Sequence, residues 1–179
     1  VLPAIPANTI FDKTITGCGA THSEIVNAAR HSIIIEPNIP VILGKKAEHP
    51  FLFAVYEGIT KEDVKAYLAG EHDGYRKIIT TPEGFDKKVL PAMHELEIPV
   101  YKDYFLLFDE CEKAIQDVGY RGDIYLPVED FFKFENKAMV SATPIVPSDP
   151  RFEENGFKIL KLVPTYDSRI ELTLCTTNN

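Results

Sequence analysis

Tyr104-Phe105-Leu106-Leu107-Phe108-Asp109-Glu110-Cys111-Glu112 decides how this chain reads, because its bulky apolar residues run without a polar break and then stop in adjacent carboxylates. A continuous apolar run of strand length marks a strand covered on both faces. Buried strands rarely finish in consecutive acids. At the carboxyl edge of a parallel sheet, Asp109 can hold a magnesium ion, and Glu110 can orient and deprotonate an attacking water. The competing reading makes Asp109 the cap of a following helix, with Glu110 and Glu112 favouring the helix dipole.

Runs of the same kind recur on either side: Thr9 to Ile15, Ser32 to Ile35, Phe51 to Tyr56, Lys77 to Thr80, Ala138 to Ser141 and Lys158 to Val163. Between them, Ser23 to Arg30, Lys61 to Leu68 and Phe85 to Leu96 carry apolar residues at helical spacing, with Ser23, Thr60 and Thr81 as caps or near caps. Alternating strands and helices predict βαβ units with right-handed crossovers, hence an α/β fold with a mostly parallel sheet between helical layers. Ligands of such sheets bind at the carboxyl ends of the strands.

Upstream, Thr14-Ile15-Thr16-Gly17-Cys18-Gly19-Ala20-Thr21 follows a predicted strand and precedes a predicted helix. Glycines in that setting let backbone N–H groups curl around phosphates, and a Thr hydroxyl can reach a magnesium ion. Gly17, Gly19 and Thr21 supply those parts. Position 20, where a phosphate-binding loop carries lysine, is alanine, and a methyl group neutralises no phosphate charge. Lys13 and His22 flank the loop and are candidates to replace part of that charge. Their simpler readings are a solvent-facing strand residue for Lys13 and a first-turn helix residue for His22. Downstream, Met139-Val140-Ser141-Ala142-Thr143-Pro144 ends a short apolar strand in small hydroxyl residues. Glu36-Pro37-Asn38 and Thr80-Thr81-Pro82-Glu83-Gly84 each carry a strand into a proline turn on the same edge.

In this order, the segments resemble superfamily 2 helicases of the DExD/H type, from about Thr9 to Val163. TGCGAT at Thr16 to Thr21 matches the phosphate loop, DECE at Asp109 to Glu112 the acidic motif, and SAT at Ser141 to Thr143 the coupling motif. The resemblance implies a three-layer RecA-like P-loop NTPase fold. It implies that Thr16, Gly17, Cys18, Gly19, Ala20, Thr21 and His22 surround the phosphates of ATP, with Thr21 and Asp109 at a Mg2+ ion and Glu110 activating water. Ser141 and Thr143 would couple nucleotide state to movement, and Pro37, Asn38, Thr81 and Pro82 would approach the sugar-phosphate backbone of DNA or RNA. Ala20 departs from the family pattern and implies impaired hydrolysis, or a catalytically inactive scaffold that binds nucleic acid or a protein partner. A small-molecule kinase fits less well, since kinases need the lysine equally and have no use for SAT.

The family's second RecA-like domain, which supplies an arginine to the ATP site, has no counterpart in these residues. The expected organisation is a helicase domain over residues 1–165 and a segment over 166–179 leading toward that second domain. The Val1 start and polar Thr-Thr-Asn-Asn ending fit an excised first domain. At 179 residues, with 45% hydrophobic and 26% charged residues, the chain holds one ordinary core. A net charge of -8 excludes coating of nucleic acid by bulk electrostatics, so contacts must be local. The pairs Lys45-Lys46, Arg76-Lys77 and Lys87-Lys88 read as solvated surface charges. Cys18, Cys111 and Cys175 lack zinc or disulfide spacing. The prolines of Val1 to Pro6 rule out a signal peptide or membrane span there. A cytoplasmic location is expected, with no membrane partner.

Overall fold

The computed structural model describes residues 4–13, 19–111, 128–143 and 149–161. Its centre is a parallel sheet of seven strands: β1 (Thr9–Asp12), β2 (His31–Ile35), β3 (Phe53–Val55), β4 (Lys77–Thr80), β5 (Tyr104–Phe108), β6 (Asn136–Ser141) and β7 (Lys158–Lys161). Across the sheet the order is β3-β4-β2-β5-β6-β1-β7. The chain leaves β1 for β2, builds outward to β3, and returns through β5 and β6 to close beside β1.

Side chains of a strand point alternately to opposite faces. Ile33, Ile35, Leu106 and Phe108 therefore pack on one side with Val64, Met93, Val100 and Phe131, while Ile34, Phe105, Leu107 and Val140 pack on the other with Ile25 and Ile42. Both faces of the central strands are dry, as their unbroken apolar sequences require. β7 differs: Lys158, Ile159 and Lys161 are exposed. The expectation of two covered faces fails for this edge strand.

Helix α1 (Ala20–Ile25) starts three residues before the predicted Ser23 and stops at Ile25, five before the predicted Arg30. Gly19 is its N-cap, and the Ser23 hydroxyl bonds back to Ala20 O at 2.7 Å instead of capping. Helix α2 (Ile39–Glu48) has no counterpart in the sequence reading. Its proline, Pro40, lies in the first turn, where the missing N–H costs nothing, and only Ile42 is buried, so no apolar stripe announces it. Helix α3 (Lys61–Ala69) begins at the expected Thr60, in a capping box with Asp63.

Helix α4 (Pro82–Gly84) continues through a π-helical turn, Phe85–Val89, into α5 (Leu90–Glu95). Pro91 cannot donate to the preceding turn, and a widened turn just before it, with Leu90 N–H bonded to Phe85 O, accommodates the ring without ending the helix. The remaining helices among the described residues are α6 (Val100–Asp103), α7 (Val128–Lys133) and α8 (Pro150–Glu154). None of the described helices is long and apolar enough to cross a membrane.

One charged cluster is buried with the core. Glu24 of α1 accepts from Ser32 Oγ at 2.5 Å and Arg30 Nε at 3.0 Å, and Lys77 Nζ lies 3.6 Å away. Lys77 is only 3% exposed, which corrects its reading as a solvated charge. Burial holds its ammonium down at about 8, against the opposing pull of Glu24.

Candidate functional site

Because β6 lies between β1 and β5, the segments that leave these three strands stand side by side at the carboxyl edge. Asp109 continues the ladder one residue past β5, its N–H donating to Ile35 O at 2.9 Å. Its side chain, 2% exposed, is the hub of the site. Oδ1 accepts from Lys13 Nζ at 3.1 Å and from Glu110 N–H at 3.0 Å. Oδ2 accepts from the Thr21 hydroxyl and from Lys45 Nζ at 3.3 Å.

Thr21 reaches Asp109 because of how α1 begins. Gly19 has φ 80, a left-handed conformation that favours glycine, and among the described residues nothing comes within 4 Å of the position its Cβ would take. The helix then starts at Ala20 and puts the next side chain against the acid. Thr16, Gly17 and Cys18 lie outside the described residues, as does Glu112. His22 is exposed, with its ring 5.1 Å from that of His49 on the far side of α2 in sequence.

Lys13 overturns its sequence reading. It follows β1 directly, donates its N–H to Ser141 O at 2.9 Å, is 8% exposed, and sends its ammonium across the end of β6 to Asp109. Lys45, read as half of a surface pair, was missed altogether. Its ammonium bridges Asp109 and Glu36 Oε2, the latter at 3.6 Å, while neighbouring Lys46 turns to Pro50 O at 2.6 Å. The signal was available only through α2: Lys45 lies three residues after buried Ile42, on the helix face that meets the sheet edge.

Two carboxylates flank Asp109. Glu36, 1% exposed, accepts from Asn38 N–H at 3.1 Å and Asn38 Nδ2 at 3.2 Å. The same Nδ2 donates to Glu110 Oε2 at 2.9 Å. Asn38, expected to face nucleic acid, thus ties the segment after β2 to the segment after β5. Glu110 has φ 47, uncommon for a residue other than glycine, and strain of that kind persists where neighbours fix it. Thr81 and Pro82 share this edge, but the Thr81 hydroxyl is engaged as the cap of α4, accepting from Gly84 N–H at 3.0 Å. Ser141 Oγ accepts from Thr143 N–H at 3.0 Å and donates to Thr143 O at 2.5 Å, closing a tight turn after β6.

The carboxyls titrate in opposite directions. Burial alone would raise Asp109, but the Lys13 and Lys45 charges and the Thr21 hydrogen bond outweigh it and hold the group below the ordinary carboxylate value. Burial, reinforced by the negative charge of Asp109 and only partly offset by Lys45, pushes Glu36 up. Asp109 is therefore the firmly ionised member.

Among the described residues no group of three or more His, Cys, Asp or Glu side chains could hold a metal ion by themselves. A hydroxyl and one ionised carboxylate in contact fit magnesium nonetheless, which keeps several waters and takes its other ligands from phosphate. Thr21 and Asp109 would hold it.

No family model matches the sequence, and no curated protein matches it. Among solved structures, the helicase domain of Hef from Pyrococcus furiosus matches with a TM-score of 0.58 and 16% identity, over 88% of this chain and 35% of that one. The chain thus spans about a third of the neighbour it matches. The likeness establishes the fold: a parallel α/β domain of the RecA-like kind found in helicases.

Proposed function

We propose that this chain is the nucleotide-binding RecA-like domain of a superfamily 2 helicase of the DExD/H type, with a degenerate phosphate loop, from a nucleic-acid-dependent NTPase. The observation that carries this reading is the contact of the Thr21 hydroxyl with the Asp109 carboxylate, at the carboxyl edge of a parallel sheet. These two groups come from the segments whose sequences, TGCGAT and DECE, suit the phosphate and magnesium sides of one ATP site. When bound, Mg2+ would neutralise charge developing on the transferred phosphoryl group. Glu110, steadied by Asn38, stands beside Asp109 as the residue to orient water.

SAT at Ser141 to Thr143, which closes the strand between β1 and β5, would couple nucleotide state to movement. Pro37, Asn38, Thr81 and Pro82 would face DNA or RNA along the same edge, and a second RecA-like domain would complete the track. Ala20 favours a second reading, a scaffold that binds nucleic acid or protein without turnover. Removing one electrostatic clamp lowers a chemical step by about 100- to 1000-fold, so hydrolysis is impaired unless another cation takes the place of lysine.

The test is equilibrium binding of a fluorescent ATP analogue with and without Mg2+, followed by anisotropy of labelled single-stranded DNA and RNA at low salt. Mg2+-dependent analogue binding that disappears in Asp109→Asn supports the nucleotide reading. Oligonucleotide binding without analogue binding moves the assignment to the inactive scaffold.

A further inference from the structure

We infer that Lys13 and Lys45 together supply the positive charge toward the nucleotide phosphates that position 20 lacks, an inference that rests on the nucleotide reading of this edge. A buried lysine such as Lys13 is costly unless an anion accompanies it, and Lys45 is half-buried beside the same acid. The two come from unrelated parts of the chain, the end of β1 and the last turns of α2, and converge on the two oxygens of one carboxylate. Lys13 adjoins the phosphate loop in sequence. Lys45 Nζ lies against the same Asp109 oxygen that the Thr21 hydroxyl contacts, so its charge is already at the point where metal and phosphate would meet.

The exchange follows from electrostatics. In the free protein Asp109 is a counter-charge for both ammonium groups, and Glu36 is a second one for Lys45. With a divalent ion held by Thr21 and Asp109, Lys13 and Lys45 would lose that carboxylate as a counter-charge and would turn to the phosphates, which carry more negative charge than the acid. Long flexible lysine stems can make this short move without displacing α2 or β1. A lysine at position 20 would approach the phosphates from the loop; Lys13 and Lys45 approach from the side of the acid. Lys46, the next residue on α2, bonds to Pro50 O and takes no part.

The experiment is calorimetric titration of ATP, in excess Mg2+, into the chain and into Lys13→Gln, Lys45→Gln, the double variant, Lys46→Gln and Ala20→Lys, with thermal melts to confirm folding. Each single loss at 13 or 45 is expected to weaken binding by about tenfold or more, the scale of a charge-assisted hydrogen bond, with a larger loss in the double variant. Lys46→Gln should stay within about twofold of the parent chain, a change too small for a lost hydrogen bond.

Ala20→Lys leaves Lys13 and Lys45 in place and so tests the idea without disrupting their pairs: it should tighten binding by less than about threefold, since the charge is already supplied. If the chain binds Mg-ATP but neither glutamine variant weakens it, or Ala20→Lys tightens it tenfold or more, the two-lysine clamp is wrong and the nucleotide site stands. If the chain does not bind Mg-ATP at all, the nucleotide reading itself fails and takes the clamp with it.

Discussion

The ammonium of Lys45 lies 3.3 Å from Asp109 Oδ2 although the two residues are 64 positions apart, one on a helix and the other past the end of a strand. With Lys13 on the other oxygen, Asp109 is held from both sides. Taking the acid away leaves Lys13 buried beside one counter-charge fewer, and breaking a buried pair from one side costs about 3–5 kcal/mol. Lys45 is partly exposed and adds little. Asp109→Ala should therefore lose about 3 kcal/mol in urea unfolding. A loss below about 1 kcal/mol, the scale of an exposed pair, would show that Asp109 does not anchor this edge.

Gly84 lies where α4 comes down on the sheet. A Cβ there would stand 2.5 Å from Thr80 Oγ1, 3.1 Å from Thr81 Oγ1 and 3.3 Å from Val55 O. The hydroxyls belong to short, buried or half-buried side chains, and the carbonyl cannot move alone. Gly84→Ala is expected to destabilise by about 1–3 kcal/mol, as overpacking does, despite the better helix propensity of alanine. Equal or higher stability in denaturant titration would mean that the helix shifts freely on β4.

Thr60 caps α3 through a reciprocal pair of bonds, Asp63 N–H to Thr60 Oγ1 at 3.2 Å and Thr60 N–H to Asp63 Oδ2 at 2.8 Å. Thr60→Ala should cost about 1 kcal/mol, read as a lower melting temperature with nucleotide binding unchanged, because β3, which leads into α3, is the edge strand separated from β5 by β4 and β2.

Lys77 gives the fold a signature in alkaline solution. Its ammonium is held at about 8, from an ordinary value of 10.5, so between those pH values the unfolded chain binds more protons than the folded one. Stability must then rise with pH across that window. Tyr104, raised to about 12, contributes the opposite slope, but only above its ordinary value of 10.0. Unfolding free energies measured from pH 8 to 10 should rise in the parent chain and rise less in Lys77→Met. Identical slopes would show that Lys77 is not buried as described.

The sheet was legible in sequence because its central strands are dry on both faces and so are written in unbroken apolar residues, Ile33 to Ile35 and Tyr104 to Phe108. Thr60 and Thr81 were legible as caps because the chemistry of a cap is local. Asp109 stood out as an acid past a strand end and Thr21 as the hydroxyl that closes a glycine loop, yet their contact depends on the sheet order and on where α1 begins. Lys13 and Lys45 could not be read in this way: a lysine next to a strand, or in a basic pair on a helix with one buried residue, has the sequence signature of a solvated charge. Only the three-dimensional edge turns both inward. The surplus length predicted for the helix from Ser23 to Arg30 has a related cause, since Arg30 leaves the helix to reach Glu24 and Ile5 O.

The most direct measurement of the central claim is calorimetric titration of Mg-ADP into the chain beside Thr21→Val and Asp109→Asn. Saturable binding at one site in the chain, lost or weakened at least tenfold in both variants when they remain folded, is the predicted result. Binding unchanged in both variants, or absent from the folded chain, would contradict a nucleotide site built on Thr21 and Asp109.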